Sequence, residues 1–278
     1  MKKFDDVKEY RKALISHDYT SKMIMNNITI PNKVYKYRSL NPDYLKDSIE
    51  GKVYFSLPSE INANDDDDCK VNVDENKCIE YLMMKLKKPQ SVAKNIFNCI
   101  NSKWIEKLQD TIKIGCFTKV APGLNYMWEE FADNGKGYCV EYDVYENIFY
   151  PDNVVFLPVC YDRMPYDNTD FVIRIIDWVL EKMDKGEKTD LDASFVPKAY
   201  NRTIFKLDKY KREEEWRVII PCNRYENYFD NNMSNGGIKD MRISVSAVYV
   251  RKDSGMDISY LNMIKRLTEN MNCEFIVL

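Results

Sequence analysis

Segments with strand-like and helix-like patterns follow one another at irregular intervals along this 278-residue chain. A doubly wound parallel sheet requires a regular alternation of strand and helix. The chain also lacks the motifs G-x-G-x-x-G and G-x-x-x-x-G-K-[ST], which hold phosphate groups in such folds. The pattern therefore argues against the classical dinucleotide-binding and P-loop folds. It predicts an α+β fold, with a mixed, largely antiparallel sheet and helical insertions in a single domain over residues 1–278.

The individual elements follow from hydrophobic periodicity and from glycine and proline punctuation. The predicted strands span residues 33–40, 51–58, 111–119, 137–144, 153–162, 212–221, 240–252 and the final CEFIVL segment. The predicted helices span residues 4–16, 42–49, 75–110 with a break near Pro89, 123–134, 168–188, 194–208 and 257–271. No repeat or Pro/Gly/Ser-rich linker divides the chain, so residues 240–278 are expected to form a strand-helix-strand extension of the same domain.

The charge balance limits the classes of partner. The 41 basic side chains nearly cancel the 44 acidic ones, and the net charge of −3 provides no global attraction to nucleic acid. The N-terminal segment is charged throughout, and no run of about 18 apolar residues occurs. We therefore expect no signal peptide and no membrane partner, and we expect a cytoplasmic protein.

The reactive side chains exclude several common mechanisms. The eight cysteines are scattered without a C-x-x-C pair, and His17 is the single histidine. A zinc site and a Ser-His-Asp or Cys-His mechanism are therefore not expected. Cysteines within apolar segments such as KIGCFT are typical of buried free thiols in a reducing compartment.

Several sequence blocks occur in an order that resembles a bacterial family called domain of unknown function 2971. The blocks are YKYRS at Tyr35–Ser39, YFSLP at Tyr54–Pro58, NDDDD at Asn64–Asp68, Cys116-Phe117, Met127-Trp128, FADN at 131–134, Lys136-Gly137 and Glu213-x-Glu215-x-Arg217. The resemblance spans about residues 33–220. It departs from the family pattern at Asp66 and Asp67, where the family has Pro and Phe, and at Gly135, where it has a histidine. The resemblance itself implies no activity.

The run of aspartates at Asp65–Asp68 has two interpretations. Hard carboxylate oxygens suit Mg²⁺ or Ca²⁺, and Asp65 and Asp68 are the candidate metal ligands. Successive residues of an extended segment point in opposite directions, however, so at most two of the four can share a site. The preferred interpretation is a solvated turn that begins with an Asx-type bond from Asn64. Asn64 and Asp65 match the family block and are also candidate ligand-binding residues.

Period-2 spacing places Glu213, Glu215 and Arg217 on one face of a predicted strand. The ordinary interpretation is a salt-bridged surface ladder. The functional interpretation is that a carboxylate contacts a ribose hydroxyl or stabilises an oxocarbenium ion, which requires no histidine.

Arg38, Ser56 and Glu213/Glu215 occur in this order on three predicted strands. The order resembles that of ADP-ribosyltransferases, which use an Arg or His on one strand, a Ser on a second strand and a Glu, often in E-x-E, on a later strand. The resemblance implies that Arg38 holds phosphate, that Ser56 contacts the nicotinamide ribose and that Glu215 is catalytic, assisted by Glu213. Tyr37 and Tyr54 would stack on nicotinamide, and NAD would be the cofactor.

Three further residues are candidates for ligand contacts. Lys136 lies in a tight turn, and in the functional interpretation the exposed amides of this turn bind an anion. Arg217 is on the same strand face as the two glutamates. Trp128 lies in the family block. The helical spacing of Met127, Trp128 and Phe131 equally fits a core position. Glu141 is a polar residue in an apolar predicted strand. If its side chain faces inward, Glu141 is a candidate site residue; if it faces outward, the strand has the ordinary alternation of polar and apolar side chains.

The sequence therefore predicts an enzyme that acts on a nucleotide-like small molecule, in a stress or phage-defence setting, with the protein or nucleic-acid target open. Arg38, Ser56 and Glu215 are expected to converge on one cleft. Two other hypotheses stay open. One is a Mg²⁺-dependent nuclease or phosphodiesterase that uses Asp65, Asp68, Glu141 and Glu215. The other is a non-catalytic binding or sensor module.

Overall fold

The computed structural model describes residues 4, 6–16, 19–64, 68–105, 111–144, 154–188, 203–221, 237–240 and 243–278. Its strands are β1 (Lys33–Arg38), β2 (Lys52–Phe55), β3 (Ile112–Thr118), β4 (Tyr138–Asp143), β5 (Val155–Pro158), β6 (Cys160–Asp162), β7 (Phe205–Leu207), β8 (Glu215–Pro221), β9 (Gly237–Asp240), β10 (Ser244–Val250) and β11 (Glu274–Val277). Its α-helices are α1 (Val7–Ile15), α2 (Ser21–Met25), α3 (Pro42–Ile49), α4 (Pro58–Asn64), α5 (Glu75–Leu86), α6 (Gln90–Ile100), α7 (Asn125–Phe131), α8 (Thr169–Asp184) and α9 (Ile258–Met271).

A seven-stranded sheet is the centre of the fold, with the strand order β11-β10-β4-β1-β3-β8-β5. Its neighbouring strands pair antiparallel, except that β10 and β11 run parallel. Two smaller pairs, β2 with β9 and β6 with β7, flank this sheet. The predicted α+β fold with a mixed, largely antiparallel sheet in one domain is therefore confirmed.

The described residues form separate apolar clusters. The main core packs against the sheet, and in it Val34, Val140 and Val218 are almost fully buried. The helices α5, α6 and α8 pack on one another around a separate apolar cluster that includes Leu82 and Phe97. These helices form the predicted insertions, and the break near Pro89 is present because proline cannot continue the hydrogen bonding of the preceding helix.

The sheet is interrupted between β1 and β3. Strand β1 pairs with β4 along its whole length, from Lys33 to Arg38, but its register with β3 consists of the single pair Tyr35–Thr118. Further along β3, the backbone of Ile114 instead exchanges hydrogen bonds of 2.9 and 2.8 Å with Ser56, which directly follows β2. A gap therefore opens between β1 and β3 beyond Tyr35.

At the C-terminal end of β1, the backbone of Arg38 packs closely against Gly137, the residue before β4. A Cβ atom on Gly137 would lie 2.0 Å from the carbonyl oxygen of Arg38. The glycine before β4 thus allows the chain to approach the last residue of β1, which fixes where the Arg38 side chain begins.

Several predicted boundaries are wrong. The strand predicted at 212–221 begins at Glu215, because residues Asp208–Glu213 form a 3₁₀ helix and Glu214 has φ of +43°. The segment at 205–207, predicted as helix, is the strand β7, and residues 189–202 lie outside the described residues. The strand predicted at 153–162 consists of two strands, β5 and β6. Strand β9 was not predicted.

No α-helix within the described ranges is long and apolar enough to cross a membrane.

The close approach at Gly137 makes a testable prediction about stability. We expect Gly137→Ala to lower the free energy of unfolding by about 1–3 kcal/mol, because the backbone of β1 must move to admit the methyl group. Urea unfolding followed by circular dichroism measures the change. Gly123→Ala is the matched control, since nothing lies within 4 Å of a Cβ at Gly123. A loss at Gly137 no larger than that at Gly123 would contradict the prediction.

Candidate functional site

A cavity of about 620 Å³ lies at the gap between β1 and β3. Four consecutive residues of β1, at positions 35–38, line it, together with residues of β2, β3, α7 and the segment 206–215. Alternate residues of a strand point to opposite faces, so four consecutive residues can line one cavity only where the edge of the strand is open. The volume falls within the usual range for small-molecule sites, about 300–1,000 Å³.

The cavity brings together residues that the sequence placed on three separate strands. Arg38 comes from β1, Ser56 follows β2, and Glu215 begins β8, and all three line the cavity. Glu213, Tyr37 and Tyr54 line it as well. The expected convergence of Arg38, Ser56 and Glu215 on one cleft is therefore present, while the chemical roles assigned to these residues stay predictions.

The side chain of Arg217 lies behind the cavity wall and organises two carboxylates. Its Nη1 and Nη2 donate to Asp68 at 2.9 and 2.6 Å, and its Nε and Nη2 donate to Glu215 at 2.7 and 3.1 Å. Nη1 also reaches the carbonyl oxygen of Thr203 and the sulfur of Cys69. Because Arg217 is 0% exposed and its donors are occupied, it is a buried structural cation. The hypothesis that it contacts a ligand directly does not agree with this geometry.

Lys206 is the second cation of this cluster. Its Nζ lies 2.9 Å from Glu213, 3.3 Å from Glu215 and 3.5 Å from Asp68. It also lies 4.5 Å from the centre of the Tyr210 ring. Three carboxylates and two cations therefore form a buried network in which each carboxylate is paired with a cation and the carboxylates exceed the cations by one.

The two glutamates experience opposite electrostatic environments. Burial opposes ionisation of Glu215, but Arg217 and Lys206 outweigh it and hold its pKa below the usual value. Burial also opposes ionisation of Glu213, and the attraction of Lys206 does not offset it, so the pKa of Glu213 is raised. For Asp68, Arg217 and Lys206 overcome burial and hold the pKa at about 2. Glu215 and Asp68 are therefore ionised at neutral pH.

Arg38 also lines the cavity, but its environment differs from that of the carboxylates. Its Nε atom is buried and has no hydrogen-bond partner among the described residues. Its guanidinium lies 5.9 Å from the centre of the Tyr44 ring, which is the range of a cation–π contact. A buried donor without an acceptor is costly, so this atom would gain from an acceptor supplied by a ligand.

Two of the proposed ligand contacts lie away from the cavity. Trp128 is 1% exposed, packs edge-on against Tyr37 with ring centres 5.3 Å apart and donates to the carbonyl oxygen of Pro122 at 2.7 Å. It is therefore a core residue that supports Tyr37, as its helical spacing indicated. Lys136 is exposed in the turn before β4 and does not line the cavity.

The aspartate run is only partly described. Asn64 is the last residue of α4, and Asp65, Asp66 and Asp67 lie outside the described residues, so the expected turn stays a prediction. The oxygens of Asp68 face Arg217, which favours an ion pair over a metal. No group of three or more metal-ligating side chains occurs in the described part of the chain.

Glu141 faces inward on β4, and its carboxylate is already satisfied. It accepts hydrogen bonds from Ser246 and Tyr249, both at 2.7 Å, and from Lys33. These donors overcome burial and lower the pKa of Glu141. The arrangement anchors β1, β4 and β10 to one another, and Glu141 does not line the cavity.

Among the cations that line the cavity, Lys36 and Lys206 were not predicted as site residues. Lys36 is two positions before Arg38, in an alternating YKYR segment, and this spacing was the available signal. Lys206 carried no signal, because its segment was predicted as the end of a helix and is in fact β7.

The comparisons with known proteins support one assignment. A family model described as "Protein of unknown function (DUF2971)" matches residues 127–218, which run from α7 into β8. The resemblance to this family is therefore confirmed over residues 127–218, and the matched stretch includes Lys206, Glu213, Glu215 and Arg217. No curated protein and no solved structure matches the chain.

The buried network makes a second testable prediction. We expect Arg217→Met to lower the free energy of unfolding by about 3–5 kcal/mol, because it leaves two buried carboxylates without their main partner. Arg11→Met is the matched control: Arg11 binds Asp162 at 2.6 and 2.9 Å, but the pair is half-exposed, and its loss is expected to cost less than about 1 kcal/mol. Urea unfolding of both variants tests the ranking. Equal losses would contradict the view that Arg217 organises the site.

Proposed function

We propose that the cavity binds a nucleotide such as NAD and that the protein is an ADP-ribosyltransferase-like or NAD-processing enzyme. The observation that carries this proposal is the distribution of charge in one cavity. Arg38 supplies a buried Nε donor that has no acceptor among the described residues, and the carboxylates of Glu213 and Glu215 line the same cavity. A nucleotide has the matching arrangement, with anionic phosphates separated from the anomeric carbon of a ribose.

In this proposal, Arg38 binds a phosphate group. A guanidinium presents several donors in a planar fork that fits phosphate oxygens. The aromatic rings of Tyr37 and Tyr54 provide flat apolar surfaces for a base or a nicotinamide ring. The Ser56 hydroxyl is held beside them by the backbone pairing of Ser56 with Ile114, which suits it to contact a ribose.

Glu215 would act on the glycosidic bond. When the bond between the anomeric carbon and the nicotinamide nitrogen breaks, both bonding electrons go to the pyridinium ring, which becomes neutral nicotinamide. The ribose carbon becomes electron-deficient and is captured by water or by another acceptor, which then loses a proton. A carboxylate fixed in its ionised form stabilises the developing positive charge. Arg217 and Lys206 keep Glu215 ionised and hold it in one position.

The metal-dependent alternative has weaker support. The oxygens of Asp68 and Glu215 face Arg217 and Lys206, so a divalent cation would have to displace these partners. The proposal therefore favours chemistry that uses carboxylates directly.

The test measures nicotinamide release from NAD by the purified chain. We expect Glu215→Gln to lower kcat by at least about 100-fold, since removal of one electrostatic contact to a transition state typically costs this much. Glu214→Gln is the matched control, because Glu214 is the neighbouring residue, is exposed and pairs with Lys119 at 3.0 Å. Its activity is expected to equal that of the unmodified chain.

Circular dichroism checks that Glu215→Gln is folded, since the change lies in a buried network. Ser56→Ala provides a second variant outside that network, and we expect it to lower activity as well. No nicotinamide release by the unmodified chain, or full activity in both variants, would overturn the proposal. Cleavage of nucleic acid that requires both Mg²⁺ and Asp68 would also overturn it and favour the nuclease.

A further inference from the structure

Two basic side chains from β1 enter the gap between β1 and β3. Lys36 and Arg38 are two positions apart on one strand, so they share a face and their Cα atoms lie about 7 Å apart. Both line the cavity. The Nζ atom of Lys36 donates to the carbonyl oxygen of Cys116 at 2.5 Å and lies 5.1 Å from the centre of the Phe117 ring. Lys36 thus occupies the place where β1 would otherwise have paired with β3.

The positive charge of these two residues has no counterpart. Within the described part of the chain, neither Lys36 nor Arg38 forms an ion pair, and the Arg38 Nε has no acceptor. The nearby carboxylates of Asp68 and Glu215 are bound by Arg217, and Lys206 bridges them to Glu213. Partly buried cations without an ion-pair partner favour an anion supplied from outside.

The environment of Lys36 also affects its protonation. Burial lowers its pKa to about 7, and the positive charge of Arg38 adds to the effect. A substantial fraction of Lys36 is therefore neutral at physiological pH. An anion bound beside it would favour the charged form and raise its pKa, so binding and protonation must be linked.

We infer that Lys36 and Arg38 together bind the diphosphate group of a nucleotide in the gap between β1 and β3, and that Lys36 takes up a proton as the ligand binds. The fork of Arg38 and the point charge of Lys36 can bracket two neighbouring phosphates, which a monophosphate does not offer. The inference rests on one part of the proposed function, namely that a nucleotide binds in the cavity. It does not depend on the proposed cleavage of the glycosidic bond.

Other titratable groups near Lys36 do not account for a pH effect between 7.5 and 9.0. Arg38 lies on its own strand, Cys116 on β3 and Glu215 on β8. Burial raises the pKa of Cys116 to about 12, and Glu215 is held ionised by Arg217 and Lys206. Among the tyrosines of the cavity, burial raises the pKa values of Tyr35 and Tyr54.

Across the cavity, two more groups require consideration. The pKa of Lys206 is raised, because its carboxylate neighbours outweigh burial, so it stays charged. Glu213 has a raised pKa, and Glu213→Gln is therefore included as a variant that should keep the pH dependence of binding.

The experiment is calorimetric titration of the full chain with ADP, without divalent cations, between pH 7.5 and 9.0. The phosphates of ADP are fully ionised in this range, since a phosphate monoester has its second pKa at about 6. Above the pKa of free Lys36, each pH unit reduces the protonated fraction about tenfold. We therefore expect the affinity for ADP to fall by up to about tenfold per pH unit, with proton uptake visible as a dependence of the heat on the buffer. AMP is expected to bind more weakly than ADP.

Two substitutions distinguish the effect of a positive charge at position 36 from the effect of its titration with pH. Lys36→Arg keeps a charge that does not titrate in this range, so its affinity for ADP should be nearly independent of pH. Lys36→Met removes the charge and should weaken ADP binding about 10- to 100-fold at pH 7, in line with the loss of a charged hydrogen bond. Lys265→Met is the matched control on an exposed lysine of α9 that does not line the cavity, and it should change nothing.

The outcomes distinguish this inference from the proposed function. The inference is overturned if the ADP affinity of Lys36→Arg depends on pH as strongly as that of the unmodified chain. It is also overturned if Lys36→Met binds ADP as tightly as the unmodified chain. ADP binding with the expected pH slope but without nicotinamide release supports the diphosphate site and rejects the glycosidic chemistry. Nicotinamide release that does not change in either Lys36 variant supports the chemistry and rejects the site.

Discussion

The guanidinium of Arg217 holds the carboxylates of Asp68 and Glu215 in one buried network, and the remaining features of the cavity depend on this contact. It joins the segment after α4 to the start of β8, two parts of the chain separated by about 150 residues. A buried ion pair contributes little net stability, because the loss of hydration nearly cancels the attraction. Its geometric effect is larger, since a planar fork with occupied donors permits only one arrangement of its partners.

This arrangement gives the cavity its polarity. With Arg217 and Lys206 bound to the carboxylates, neither Lys36 nor Arg38 has an ion-pair partner among the described residues. Burial and the charge of Arg38 lower the pKa of Lys36, and burial raises the pKa of Glu213 against the attraction of Lys206. In the proposed function, the ligand supplies the negative charge that pairs with Lys36 and Arg38.

The sequence predicted those parts of the molecule that depend on local pattern. Helix Pro42–Ile49 was predicted at its observed bounds, because Asn41 caps it and proline begins it. The convergence of Arg38, Ser56 and Glu215 could be expected from an ordered set of blocks. The burial of Arg217 could not be predicted. Period-2 spacing shows on which face of a strand a side chain lies, but not whether an aspartate far away in the sequence packs against it. Lys36 was missed for a related reason, since the gap in the sheet depends on the long-range pairing of Ser56 with Ile114.

The single pair that joins β1 to β3 has a mechanical consequence. The strands β11-β10-β4-β1 and β3-β8-β5 form two parts of the sheet, and Tyr35–Thr118 is the pair that joins them in the described register. Because a single backbone pair constrains two strands less than a ladder does, the spacing of β1 and β3 beyond Tyr35 depends on side-chain packing and not on backbone hydrogen bonds. A ligand that contacts both strands would therefore add a cross-connection at the place where the sheet itself has none.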